Sequence, residues 1–159
     1  MLNVHILAVG KLGQGWLAEG CAHYRQLASQ HFRLHLTELP AHRLPGDPSP
    51  AQIEKALAAE GELIRRALPK GGLVAALCVE GRCLTSSSLA GLLEDCAGQG
   101  SPPVFVIGSS HGLCPGIKEE ASLKLSLSGM TLPHQLARVV LLEQIYRAGC
   151  IIRGGKYHK

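Results

Sequence analysis

Residues 122–159 read SLKLSLSGMTLPHQLARVVLLEQIYRAGCIIRGGKYHK, and the reading of this closing block decides the fold. SLKLSLS (122–128) alternates apolar and polar residues, the period of a β-strand. After SGMTLPH comes a helical pattern with apolar residues at Leu136, Val139, Val140, Leu141, Leu142, Ile145 and Tyr146. That band is wider than one face, so the helix is expected to be covered on two sides, with a second subunit able to supply part of the cover. Pro133 suits the first turn of this helix, and Thr131 or Ser128 can cap it. His134 has four roles open to it: helix cap, buried polar group, catalytic base, or part of a ligand loop.

Outward from this block the chain alternates strands and helices. LNVHILAV (2–9), RLHLTEL (33–39), GLVAALCVE (72–80) and PVFVIG (103–108) read as strands, the last two as buried parallel ones. WLAEGCAHYRQLASQ has helical spacing at Trp16, Leu17, Tyr24 and Leu27. A second helix carries Ile53, Leu57, Ile64 and Leu68, with Gly61 inside it at a cost of ~1 kcal/mol against alanine. SSSLAGLLEDCAG makes a third, with serine available as its cap. PAHRLPGDPSP (40–50) is a loop, and residues 109–121 are loop or short helix. The expectation is a single α/β domain over 1–159, a mostly parallel sheet flanked by helices.

Composition sets the bounds. With 46% hydrophobic and 18% charged residues, the 159-residue chain is too apolar to be disordered. At this length it buries ~70% of its unfolded surface without needing disulfides or metal. The six cysteines form no C-x-x-C pair, so no zinc site is expected. No run approaches the ~20 apolar residues of a membrane span. A soluble, reduced, cytoplasmic protein is the reading. The net charge of +4 is mild, but the last 22 residues hold five of the sixteen Lys and Arg, offset only by Glu143. Positive charge thus gathers where the chain ends, which suits a polyanionic partner.

Two further stretches carry possible chemistry. GKLGQG (10–15) lies between strand and helix like a phosphate-cradling loop, but its G-x-x-G-x-G spacing is neither the dinucleotide fingerprint nor a Walker loop. Glu38 is too distant in sequence to be the usual ribose-binding acid, so turn-forming glycines are the simpler reading. GSSHG (108–112) is a literal G-x-S-x-G after a strand, which in a serine hydrolase would make Ser110 the nucleophile. A strong helix must start at such an elbow, whereas GLCPG follows here, and the chain is short for that fold.

The closing block then narrows the field. S-x-M-T-L-P-H-Q, R-V-V-L-L-E-Q-I-Y-R-A and I-x-R-G-x-x-Y-H-K resemble the ribosomal large-subunit pseudouridine methyltransferases of the SPOUT class. AVGKL near the start, ALCVEG (76–81) and FVIGSSHGL (105–113) fall where that family has comparable segments, so the resemblance spans the chain. It implies a C-terminal trefoil knot, S-adenosylmethionine held in the loops of the knot, a homodimer, and methylation of pseudouridine at ring position 3 in large-subunit rRNA of the ribosome. No metal is implied. Knots are otherwise almost absent from proteins, and no periodicity argument leads to one.

Carried over by position, the cofactor pocket would comprise Leu77, Gly108, Leu127, Ser128, Gly129, Met130, Thr131 and Leu132. The resemblance also implies that the tail completes the RNA site of the partner subunit, with His158 as first candidate for the base and Tyr157, Arg153 and His134 as further catalytic candidates. Arg138, Lys156 and Lys159 would contact RNA. The family usually shows a second glycine where this chain has Ser109, and a side chain there is expected to narrow the pocket. A non-catalytic RNA-binding relative would bind ribosomes and ignore the cofactor. With one Trp, three Tyr and two Phe, recognition by phosphate contact and shape fits better than stacking.

Overall fold

The computed structural model describes residues 1–158, with the side chains of 1–157. Five strands, β1 (Asn3–Val9), β2 (Arg33–Leu39), β3 (Leu73–Cys83), β4 (Pro103–Ile107) and β5 (Leu123–Ser126), form one sheet in the order β2-β1-β4-β3-β5, and every pairing is parallel. Parallel neighbours need crossovers, which are supplied by α1 (Trp16–Ala28), α2 (Pro50–Ala67), α3 (Ser86–Gln99) and the short α4 (Pro115–Glu120). The closing helix α5 (His134–Ile152) follows β5, and a 3-10 turn covers Lys156–His158.

Alternation along the strands divides the core in two. In β1, Val4, Ile6 and Ala8 point into the larger cluster under α1, α3 and α5, whereas Leu7 and Val9 point into a smaller one under α2 and α4. Central β4 is buried at all five positions, which is why PVFVI carries no polar residue. Edge strand β2 alternates exposed and half-buried residues, as its sequence predicts. Complete burial of a side chain such as Phe105 or Ile145 contributes ~1.5–3 kcal/mol.

Local chemistry corrects several sequence expectations. α2 starts at Pro50, earlier than its apolar stripe suggests, because Ser49 and Gln52 form a reciprocal capping box with proline at the first helical position. The cap of α3 is Thr85, whose hydroxyl accepts from Ser88 N, instead of a serine. Neither Thr131 nor Ser128 caps α5; Pro133 occupies that position without a side-chain bond, and the Ser128 hydroxyl accepts the Met130 amide at 2.9 Å. The cost of Gly61 within α2 has a packing reason. A Cβ there would lie 3.1 Å from Cys114 Cβ, so glycine lets α2 approach the start of α4.

Within the chain the wide apolar band of α5 packs against α1 along one side and α3 along the other, leaving Leu136, Val139, Val140 and Tyr146 half-buried. Leu141, Leu142, Ile145 and Ala148 have no exposure at all. β3 runs past β4 to Cys83, and its register with β5 breaks between Leu77 and Arg82. A Cβ on Gly81 would sit 2.5 Å from the Leu125 carbonyl carbon, so the two backbones touch there. No helix among the described residues is long and apolar enough to cross a membrane.

Candidate functional site

The C-terminal ends of β3, β4 and β5 open into one cavity of about 560 Å3, within the ~300–1,000 Å3 of small-molecule sites. Parallel sheets bind ligands at this edge because their connecting loops converge there. Three segments build the walls: Leu77–Val79, Ile107–Ser110 with Gly112, and Leu125–Ser128 continuing through Met130–His134 to Ala137. Of the expected cofactor residues, Leu77, Gly108, Leu127, Ser128, Met130, Thr131 and Leu132 line the cavity, and Gly129 does not. Sequence reading missed Cys78, Val79, Ile107, Leu125, Ser126, Pro133 and Ala137. Their signal was position alone, beside residues already singled out.

The lining suits a ligand with an apolar ring and polar ends. Leucines 77, 125, 127 and 132 give apolar contact, while Ser128 and the segment after it lie beyond the end of β5, where backbone groups are free of strand pairing. Gly108 is built into this wall with no room to spare, since a Cβ there would fall 2.2 Å from the Gly112 carbonyl oxygen. The donor set present therefore fits a nucleoside cofactor of the size of S-adenosylmethionine.

His134 also lines the cavity, from the first turn of α5, with Nε2 4.0 Å from where a Cβ of Gly10 would be. Burial, reinforced by the Arg138 cation, holds its imidazole below the ordinary histidine value against the opposing pull of Glu60. At neutral pH it is thus uncharged and able to accept a proton.

Arg138 requires a correction. Its side chain is 2% exposed, Nη1 lies 2.5 Å from Glu38 Oε1, and Nη2 donates to the Gly10 carbonyl oxygen at 3.0 Å. A guanidinium committed to two protein acceptors inside the fold is not presented to an RNA phosphate. Glu38 accepts the Leu12 amide as well, at 3.1 Å, so GKLGQG is a turn pinned from both sides. Its glycines 10, 13 and 15 all have positive φ, the conformation such a turn needs.

Among the described residues, the tail lies elsewhere than the cavity of its own chain. Tyr157 packs on Tyr146 with ring centroids 4.7 Å apart, and the Arg147 guanidinium sits 4.7 Å over the Tyr157 ring. These partners lie roughly 18–20 Å along the helix axis from His134 at 1.5 Å per residue. Desolvation and a hydrogen bond with Tyr24 push the Tyr157 hydroxyl up to about 12, so in this position it stays protonated. Arg153 and Lys156 are exposed. The side chain of His158 and the whole of Lys159 lie outside the described residues.

Ser109 lines the cavity, and its hydroxyl donates to Glu60 Oε2 at 2.9 Å. GSSHG is not a nucleophile elbow. Ser110 Oγ is 3.4 Å from Nδ1 of the adjacent His111, both are exposed, and the next helix begins only at Pro115.

Comparison with known proteins agrees with this geometry. A family model described as "Predicted SPOUT methyltransferase" matches residues 2–158. A Moorella thermoacetica protein named ribosomal RNA large subunit methyltransferase H is 42% identical over the full length of both chains, and the Leuconostoc mesenteroides protein of that name is 40% identical over 99% of this chain and all of its own. The fold is similar to a probable methylase family protein from Haemophilus influenzae, with TM-score 0.56 and 12% identity over 99% of this chain and 70% of that one. A probable methyltransferase from Bordetella pertussis gives TM-score 0.54 at 18% identity, over 92% of this chain and 96% of the other. A parallel α/β sheet with its cavity at the strand ends, matched from end to end, means that the chain belongs to the SPOUT methyltransferase family, whose fold carries a trefoil knot.

Proposed function

We propose that this protein transfers a methyl group from S-adenosylmethionine to large-subunit ribosomal RNA, at ring position 3 of a pseudouridine. The observation that carries the reading is the cavity at the ends of β3, β4 and β5, seven of whose lining residues are those expected to hold the cofactor. The names of the full-length relatives support the substrate.

When bound, the cofactor supplies a sulfonium methyl with an excellent leaving group, leaving the protein to align the reactants and manage one proton. Leu77, Leu127 and Leu132 would flank the adenine, and backbone groups of 127–132 would bond its edge. The ring nitrogen is a poor nucleophile while protonated, so a base in the cavity should help by ~10²–10⁴-fold. The position of His134 in the cavity wall and its lowered imidazole value support that role for it. His158 remains the tail candidate on resemblance alone.

The active form would be a homodimer. Tyr157 docks far along α5 from its own cavity, so a tail residue reaches a cavity most directly in a second subunit. There Arg153, Tyr157 and His158 would complete the RNA site, with Lys156 and Lys159 on phosphates.

Isotope-labelled S-adenosylmethionine and ribosomes lacking the modification test the reading. Label in 3-methylpseudouridine of large-subunit rRNA is expected. No label on intact unmodified ribosomes would defeat it, and ribosome binding without cofactor binding would favour a non-catalytic relative.

A further inference from the structure

Behind the cofactor cavity lies a hollow of about 240 Å3, lined by Pro40, His42, Arg43, Glu60 and Leu63 among others. The two spaces are joined by one hydrogen bond, from Ser109 Oγ in the wall of the first to Glu60 Oε2 in the wall of the second, at 2.9 Å. Glu60 is only 4% exposed, and a carboxyl so deeply placed needs donors. It has two. Besides Ser109, the His42 backbone N–H donates to Oε1 at 3.0 Å.

Both donors come from loops, whereas Glu60 stands on the long helix α2, fixed by Ala56 and Ile64 at 1% exposure each. Residues 40–45 have no regular structure, and the loop after β4 closes on itself through the bridge between Ser109 and Gly112, with Gly108 and Leu113 buried on either side of it. One side chain therefore joins two irregular segments to a rigid element. The wall has little slack, since Gly108 already abuts the Gly112 backbone. A shift of Ser109 must move the cavity wall.

We propose that Glu60 is a positioning residue for the methyl donor: acting through Ser109 it sets the wall formed by residues 108–112, and through His42 it holds segment 40–43 to the same anchor. The inference rests on the methyltransferase reading for the identity of the donor. Glu60 touches no reacting atom and takes no proton in this role.

The test uses the full-length protein, with S-adenosylmethionine binding by titration calorimetry, KM and kcat from ribosome methylation, and amide hydrogen exchange. Glu60→Ala and Ser109→Ala are each expected to weaken donor binding about tenfold, the usual scale for a buried polar group left unpaired. KM for the donor should rise while kcat at saturation changes little. Glu60→Gln should rescue, because its amide can donate to Ser109 Oγ while its carbonyl accepts from His42. Exchange should quicken in 41–43 and 108–112 for Glu60→Ala, but only in 108–112 for Ser109→Ala. Folded Ser109→Ala with unchanged donor affinity and unchanged exchange in 108–112 overturns the proposal, and that variant decides if Glu60→Ala does not fold. Wild-type protein that binds no S-adenosylmethionine defeats the methyltransferase reading instead, while the exchange pattern still judges the anchor.

Discussion

Arg138 on α5 reaches Glu38 at the end of β2, a hundred positions away in sequence, with Nη1 and Oε1 2.5 Å apart. The pair fastens the closing helix to the edge of the sheet, and through Gly10 and Leu12 it fastens the first loop as well. Its two ends are unequal. Arg138 is 2% exposed and Glu38 32%, so loss of the acid strands a buried cation, whereas loss of the base leaves an acid that water can reach.

Glu38→Ala is accordingly expected to cost roughly 3 kcal/mol of unfolding free energy, in the range for breaking a buried pair from one side. Arg138→Met, which keeps most of the volume, should cost less. Urea unfolding of the two variants gives the comparison, and the reverse order would refute this account of the pair.

Stability should also fall with acid through the same residue. Burial acts to raise the Glu38 carboxyl, but the Arg138 hydrogen bond, the Leu12 amide and the charges of Arg138 and Lys11 outweigh it and hold the group below its ordinary value. A depressed carboxyl contributes stability that is fully present above its unfolded value of ~4.3 and is lost as pH falls through its lower folded value. Thermal melts between pH 6 and pH 3 should show this loss in the wild type and a shallower one in Glu38→Gln.

Gly108→Ala should abolish donor binding. The new methyl would meet the Gly112 carbonyl oxygen at 2.2 Å, a contact that only backbone movement relieves, and that backbone is the cavity wall. Calorimetry with S-adenosylmethionine measures the effect. Overpacking typically costs ~1–3 kcal/mol, so the variant should remain folded at room temperature.

Deletion of residues 154–159 should leave donor affinity within about threefold, because no described residue of the tail lines the cavity of its own chain. Methyl transfer should be lost. If each site is completed by the partner's tail, mixing the deleted protein with Gly108→Ala should recover activity that neither has alone. Full activity of the deletion by itself would remove the tail from the mechanism.

Much of this protein was legible in its sequence. Period-two alternation, continuous apolar runs and helical spacing placed the five strands and the four long helices, because burial on one or two faces imposes those patterns directly. Seven residues of the cavity wall came from the family resemblance carried over by position, not from any local pattern. What sequence could not supply was every relation across distance. The same arginine that reads as an RNA contact in a basic closing block is an internal cation, because Glu38 and the Gly10 carbonyl happen to meet it inside the fold. Nothing in the sequence pairs Ser109 with Glu60, 49 positions earlier, whose carboxylate accepts from its hydroxyl. The band on α5 reads as covered on two sides, but that α1 and α3 supply that cover is known only from the fold. Periodicity records how much of a residue is buried and on which face, but the atom that meets it is chosen by tertiary packing alone.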